Sequence, residues 1–157
     1  MKELVEYREK LIARLEQAAA EFRAACLAVE RPLEPIGGDG WSVHQVAAHT
    51  RDVDKLVYGV RARRTLAEDN PTFPNFDGDA YMAKHYDRGE PLTAVLDELQ
   101  ASIQGLSKLL REMPLSGWSR QSSHETQGNG ITLQTWVERT LSHIEEHLAT
   151  VKTISKA

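Results

Sequence analysis

Apolar residues recur at helical spacing in four stretches of the chain, and segments rich in polar residues, glycine and proline separate them. From Lys2 to about Val29 there is no Gly or Pro, and Leu4, Leu11, Leu15, Phe22 and Cys26 fall near one face. That pattern predicts a first amphipathic helix. The segment Arg31 to Gly40 (RPLEPIGGDG) favours turns and extended backbone, so it reads as a connection. Ser42 then stands three residues before Gln45, the spacing of a capping box. Behind it Val46, His49, Val53, Leu56, Val57 and Val60 follow at i, i+3, i+4 intervals. The second helix, running to about Arg64, thus carries His49 on its inward side.

After Arg64 the pattern weakens. Pro71, Pro74 and Gly78 punctuate a long connection in which a short helix is expected around Asp79 to Tyr86. Between Pro91 and Arg111 the set Leu92, Val95, Leu96, Leu99, Ile103, Leu106 and Leu110 is the cleanest amphipathic run, with Pro91 suited to a first helical position. The stretch MPLSGWSRQSSHETQGNG reads as a loop with at most a short extended piece near Trp118. A fourth helix opens at Thr132 as N-cap and ends near Ile154, with Leu133, Trp136, Val137, Thr140, His143, His147 and Val151 inward. Four long amphipathic helices, with no alternating strand and no internal repeat, point to an all-α four-helix bundle around one core. It is expected to be a single domain over residues 1–157.

Composition narrows the function. The 157 residues carry a net charge of -4 with both signs scattered, so no basic footprint for nucleic acid stands out, and a small-molecule partner is expected. Cys26, the single cysteine, has no intramolecular partner, and the charged N-terminus has no apolar stretch of signal-peptide type. No run approaches the roughly 18 to 20 apolar residues needed to cross a bilayer. These features predict a cytoplasmic protein with no membrane role.

The chemistry rests on histidines. Four residues of helix advance about 6 Å and turn about 40° past a full circle, so His143 and His147 point two imidazoles the same way. If His49 faces them across the bundle, the trio forms a three-nitrogen site with one coordination position open, as expected of a catalytic metal. A lone histidine on an apolar face is more often a satisfied core residue. Three together are costly to bury unless an ion or a polar network compensates, at about 1 to 3 kcal/mol for each unpaired ring. The alternative puts His143 and His147 on the solvent side, where Glu145 and Glu146 belong. The string HIEEH also matches the H-x-x-E-H pattern of inverzincin peptidases, but only ten residues follow His147, too few for a downstream acidic ligand. Glu146 reads as a solvated charge, or as a partner to a ligand histidine. His44 reads as a surface residue; His85 and His124 read as solvent-exposed, with bordering a pocket as the alternative for either, and the three tryptophans read as core or bundle-end plugs. Arg61, Arg63 and Arg64 read as a charged face that an anionic substrate could approach. Cys26, on the packed side of the first helix, is a poor nucleophile.

Trp41 followed eight residues later by His49 in WSVHQVAAHTRDVD, the loop GWSR, the GITL lead-in and the closing HIEEHL together resemble the DinB/YfiT-like superfamily of metal-dependent enzymes. The resemblance spans essentially the whole chain. It implies up-down-down-up connectivity, to which the short helix read between helices two and three is added, a nickel or zinc ion on His49, His143 and His147, and homodimerisation. It further implies a reaction on a small molecule. The first choice is a thiol-dependent S-transferase using a bacillithiol- or mycothiol-type co-substrate. The alternatives are a hydrolase using metal-activated water and a non-catalytic, stress-associated binding or scaffold protein. The sequence does not select the substrate, the metal or the pathway.

Overall fold

Leu11, Ile12, Leu15, Ala18, Ala19, Phe22 and Cys26 make the buried stripe of α1 (Lys2–Leu27) in the computed structural model, which describes residues 1–37 and 40–154. Burial begins only at Leu11. Leu4, whose spacing predicts an inward place, is exposed because the first turns of α1 carry no buried residue.

The capping box forms. Ser42 Oγ accepts from the Gln45 amide at 3.1 Å, and Gln45 Oε1 accepts from the Ser42 amide at 2.9 Å. These bonds satisfy donors that the start of α2 (Val43–Val53) would otherwise leave unpaired. The helix continues through one π-turn, Asp54–Tyr58, into α3 (Gly59–Ala67). A π-turn holds an extra residue, which rotates what surrounds it relative to an ideal helix. Leu56, predicted inward, is therefore exposed, while Asp54 is buried and accepts from the Ser102 hydroxyl at 2.6 Å.

The connection that follows contains β1 (Thr72–Phe73) and α4 (Gly78–His85), the latter capped by Asp77, whose carboxylate accepts from the Ala80 amide at 3.0 Å. Next comes α5 (Leu92–Glu112), with Pro91 as its N-cap and Val95, Leu96, Leu99, Ile103, Leu106 and Leu110 buried. The final helix, α6 (Leu133–Ile154), buries Leu133, Trp136, Val137, Thr140, Ile144, Leu148 and Val151. α1 packs on α5 and α6, and the α2–α3 rod packs on the same pair, so four helical members enclose one core. Each fully buried Leu, Ile or Phe contributes about 1.5 to 3 kcal/mol to that assembly. Among the described residues no helix is long and apolar enough to cross a membrane.

The segment before α6 departs from the sequence reading. Trp118 sits in a 3₁₀ turn, Leu115–Ser119, and is followed by a hairpin of β2 (Gln121–His124) and β3 (Gly128–Thr132). β1 adds parallel to β2, giving a sheet in the order β1-β2-β3. The strands escape notice in sequence because QSSH and GNGIT offer almost no apolar alternation. A tertiary bond anchors them instead: the Trp136 indole donates to Ser122 Oγ at 2.7 Å.

Candidate metal centre

On α6, His143 and His147 lie one turn apart in the same row as buried Thr140 and Val151. On α2, the capping box fixes where the helix starts, and His49 faces them from the opposite side. The three Nε2 atoms converge: His143 to His147 is 3.0 Å and His143 to His49 is 3.4 Å. All three ligand atoms lie within 4.8 Å of one another. Tetrahedral ligands about 2.0 to 2.1 Å from a zinc-sized ion stand roughly 3.3 Å apart, so these separations match a shared ion.

The electrostatics point the same way. Burial lowers the pKa of all three imidazoles; His143 also feels His147 and His49 and falls to about 3. For His49, Asp79, Asp52 and Glu146 partly oppose that effect. The rings are thus neutral at ordinary pH, the state in which a nitrogen lone pair can bind metal. Three neutral rings with facing Nε2 atoms cannot all satisfy one another by hydrogen bonds, since each nitrogen is either a donor or an acceptor. His49 Nδ1 is also buried and has no hydrogen-bond partner. The three facing Nε2 atoms fit a cation, and the His49 Nδ1 carries the ring proton of that metal-binding tautomer.

The rings are held by packing. Trp41, half-buried and packed against the core, stands against His49 with ring centroids 5.0 Å apart, and Tyr58 lies 5.4 Å from His143. Glu146 is exposed, and Glu145 turns away to pair with Arg14 at 2.9 Å. Beside the triad is a cavity of about 260 Å³ bordered by His49, His143, Tyr58, Arg61, Asn75 and His124, among others.

Two histidines read as surface residues are buried. His44 is held between the Tyr86 hydroxyl and the Glu90 carbonyl, each at 2.6 Å. Its position off the apolar row of α2 misled because the long connection folds back over that face. His124 is buried on β2, where Nδ1 accepts from the Thr126 and Gln127 amides, both at 3.2 Å. The hairpin of β2 and β3, whose polar sequence does not announce it, is what buries His124. His85 is exposed and stacks on Tyr81. The three arginines do not share a face: Arg64 pairs with Glu68 near the surface, Arg63 bonds to the Gly59 and Ser102 carbonyls, and Arg61 is buried at the cavity. Cys26 is fully buried, and burial pushes its thiol up to about 12, which removes it from consideration as a nucleophile.

A helical bundle that brings three imidazole nitrogens from two helices to one point defines a class of protein able to hold a single ion beside an open cavity. The chain belongs to the DinB superfamily, whose family model matches residues 14–151. Among solved structures it is similar to YfiT from Bacillus subtilis, described as a probable metal-dependent hydrolase with an unusual four-helix bundle topology. The TM-score is 0.85 at 24% identity, over 96% of this chain and 87% of that one, a likeness of fold. Nothing among curated proteins matches the chain significantly.

Proposed function

We propose that His49, His143 and His147 hold one divalent metal ion, nickel or zinc, and that the protein is a metal-dependent enzyme acting on a small molecule. The observation that carries this reading is the convergence of three neutral Nε2 atoms at separations of 3.0 and 3.4 Å. Such an ion, when bound, supplies Lewis acidity that lowers the pKa of a thiol or water in its remaining coordination position. The chain's own residues do the rest. The three imidazoles leave the ion's full positive charge uncompensated, Trp41 and Tyr58 limit how the ligand rings can turn, and the adjoining cavity admits the substrate.

Thiol-dependent S-transfer, with a low-molecular-weight thiol as co-substrate, is our first choice of reaction. Metal-dependent hydrolysis is the second, favoured by the description of YfiT. The same reading includes a single domain spanning residues 1–157, up-down-down-up connectivity, a cytoplasmic homodimer, and no nucleic-acid or membrane partner. It is supported by the single hydrophobic core and the net charge of -4, while the connectivity and the dimer rest on the family resemblance.

The test begins with elemental analysis of protein purified without added metal. We expect about one equivalent per chain in the wild type and none in the His143→Ala, His147→Ala double variant. Retention of metal by that variant refutes the site. Metal-loaded protein is then offered several thiols with a haloaromatic electrophile, and separately an ester and an amide. Thiol consumption supports transfer; a rate on ester or amide with no thiol consumption supports hydrolysis and overturns transfer.

A further inference from the structure

Arg61 is 7% exposed, and no Asp or Glu among the described residues pairs with it. One guanidinium nitrogen, Nη2, donates to the Pro74 carbonyl at 2.9 Å. The planar group lies over the Trp136 ring, 4.9 Å from its centroid, and the charge placed against the same ring at 5.0 Å is a second cation, Arg139. A guanidinium has five N–H donors and stays charged at any physiological pH. One carbonyl and one aromatic face leave most of that hydrogen-bonding capacity and all of the net charge unanswered. Burying an unpaired charge is costly, and an arginine so placed is ordinarily paired with an anion.

The cavity supplies room for one. Arg61 borders the same space of about 260 Å³ as His49 and His143. His124 borders it too; its Nδ1 accepts two backbone N–H groups, and its Nε2 stands 3.4 Å from the Gln127 side-chain amide nitrogen. Among the residues that line the cavity, Arg61 is the cationic group. Asn75 and Gln127 there are neutral amides, and no carboxylate lines the space. A volume of this size suits the head group of a small molecule rather than a whole drug-sized ligand.

We propose that Arg61 is the anchor of an anion subsite in this cavity, which takes the carboxylate or phosphate of a small substrate whose reacting end lies toward His49 and His143. The substrate class is thus an anionic small molecule. The orientation relative to the triad rests on the metal-site reading above; the anion subsite itself does not.

Isotope-labelled protein, both metal-free and zinc-loaded, is titrated with succinate, with inorganic phosphate and with neutral succinamide. The Arg61 Nε–H and His124 ring signals are followed by NMR. We expect saturable shifts at both residues with an anion, none with succinamide, and binding weaker by about tenfold or more in Arg61→Gln. The relative response to succinate and phosphate distinguishes the two head groups. Arg61→Lys, which keeps charge but not the planar fork, is expected to recover part of the affinity. Zinc stoichiometry measured against a competing chelator is expected to be unchanged in both variants, a readout that a collapsed fold would not leave intact. Equal response to succinamide, or no saturable shift at Arg61 with either anion, overturns the subsite. Anion binding by a protein that takes up no zinc retains the subsite and removes the metal reading instead.

Discussion

Gly78 approaches His49 so closely that a Cβ built on it would lie 2.9 Å from the imidazole Cε1 and 3.5 Å from Nδ1. The first residue of α4 thus acts as a floor under one member of the triad, and only glycine leaves that ring room. Gly78→Ala must push either the ring or α4. Overpacking of this kind costs about 1 to 3 kcal/mol. Because Gly78 sits at a helix terminus and the site depends on ring placement, the cost is expected to fall on metal affinity. We expect binding weaker by about tenfold to a hundredfold, read by chelator competition, with a small change in melting temperature. Unchanged affinity would mean that His49 is not a ligand in the position it occupies here.

The metal-free protein should lose stability on mild acidification. Burial holds His49, His143 and His147 below the ordinary imidazole range, His143 at about 3. In the unfolded chain the same groups take up protons near pH 6.5. Between those limits the unfolded state binds more protons, so stability rises with pH through the window and levels off above it. Each ring kept neutral contributes at most about 1.4 kcal/mol per pH unit. Thermal melts of metal-free protein at pH 5, 6, 7 and 8 are expected to show falling melting temperatures only below about 6.5, and His143→Leu should flatten the trend. A melting temperature independent of pH from 5 to 7 would contradict the burial of neutral rings.

The helices were legible because their signals are local. Ser42 and Gln45 announce a helix start by chemistry confined to four residues, and the stripe from Val95 to Leu110 needs only the period of an α-helix. His49, His143 and His147 were legible as candidates for the same reason: each falls on an apolar row. What the sequence hid depends on partners far along the chain. The π-turn at Asp54–Tyr58 turns Asp54 inward against Ser102, a residue of another helix. The hairpin gains its anchor from Trp136, and His124 is buried only because that hairpin exists. Arg61, Arg63 and Arg64 look alike in sequence. Their fates diverge because successive residues of a helix point about 100° apart, and only one of the three directions meets the cavity.

Trp136 ties the hairpin to the bundle. It is fully buried, its indole donates to Ser122 Oγ at 2.7 Å, and that hydroxyl bonds in turn to the Ile131 carbonyl at 2.9 Å across the strand pair. Trp136→Phe removes the donor while keeping an aromatic ring. The expected loss is about 1 to 3 kcal/mol by denaturant unfolding, from the lost bond and the smaller ring. Amide exchange is expected to accelerate most in Gln121–His124 and Gly128–Thr132, since those strands depend on the bond. Uniform acceleration through all helices would show that the residue serves the general core alone.

His44 should be structural, in contrast to the proposed metal ligand His49, although both lie on α2. A backbone carbonyl only accepts, so His44 Nε2 donates its proton to the Glu90 carbonyl and Nδ1 receives the Tyr86 hydroxyl, each at 2.6 Å. Through those two bonds the ring fastens the connection between α4 and α5 to the start of α2. His44→Ala removes both bonds and leaves a gap beneath Tyr86, at an expected cost of about 1 to 3 kcal/mol. Tyr86→Phe breaks only one of the bonds and should cost less. Since neither change reaches the three converging Nε2 atoms, both variants are expected to bind metal with wild-type stoichiometry. Loss of metal from folded His44→Ala would show that the connection, rather than the packing around α2 and α6, positions the triad.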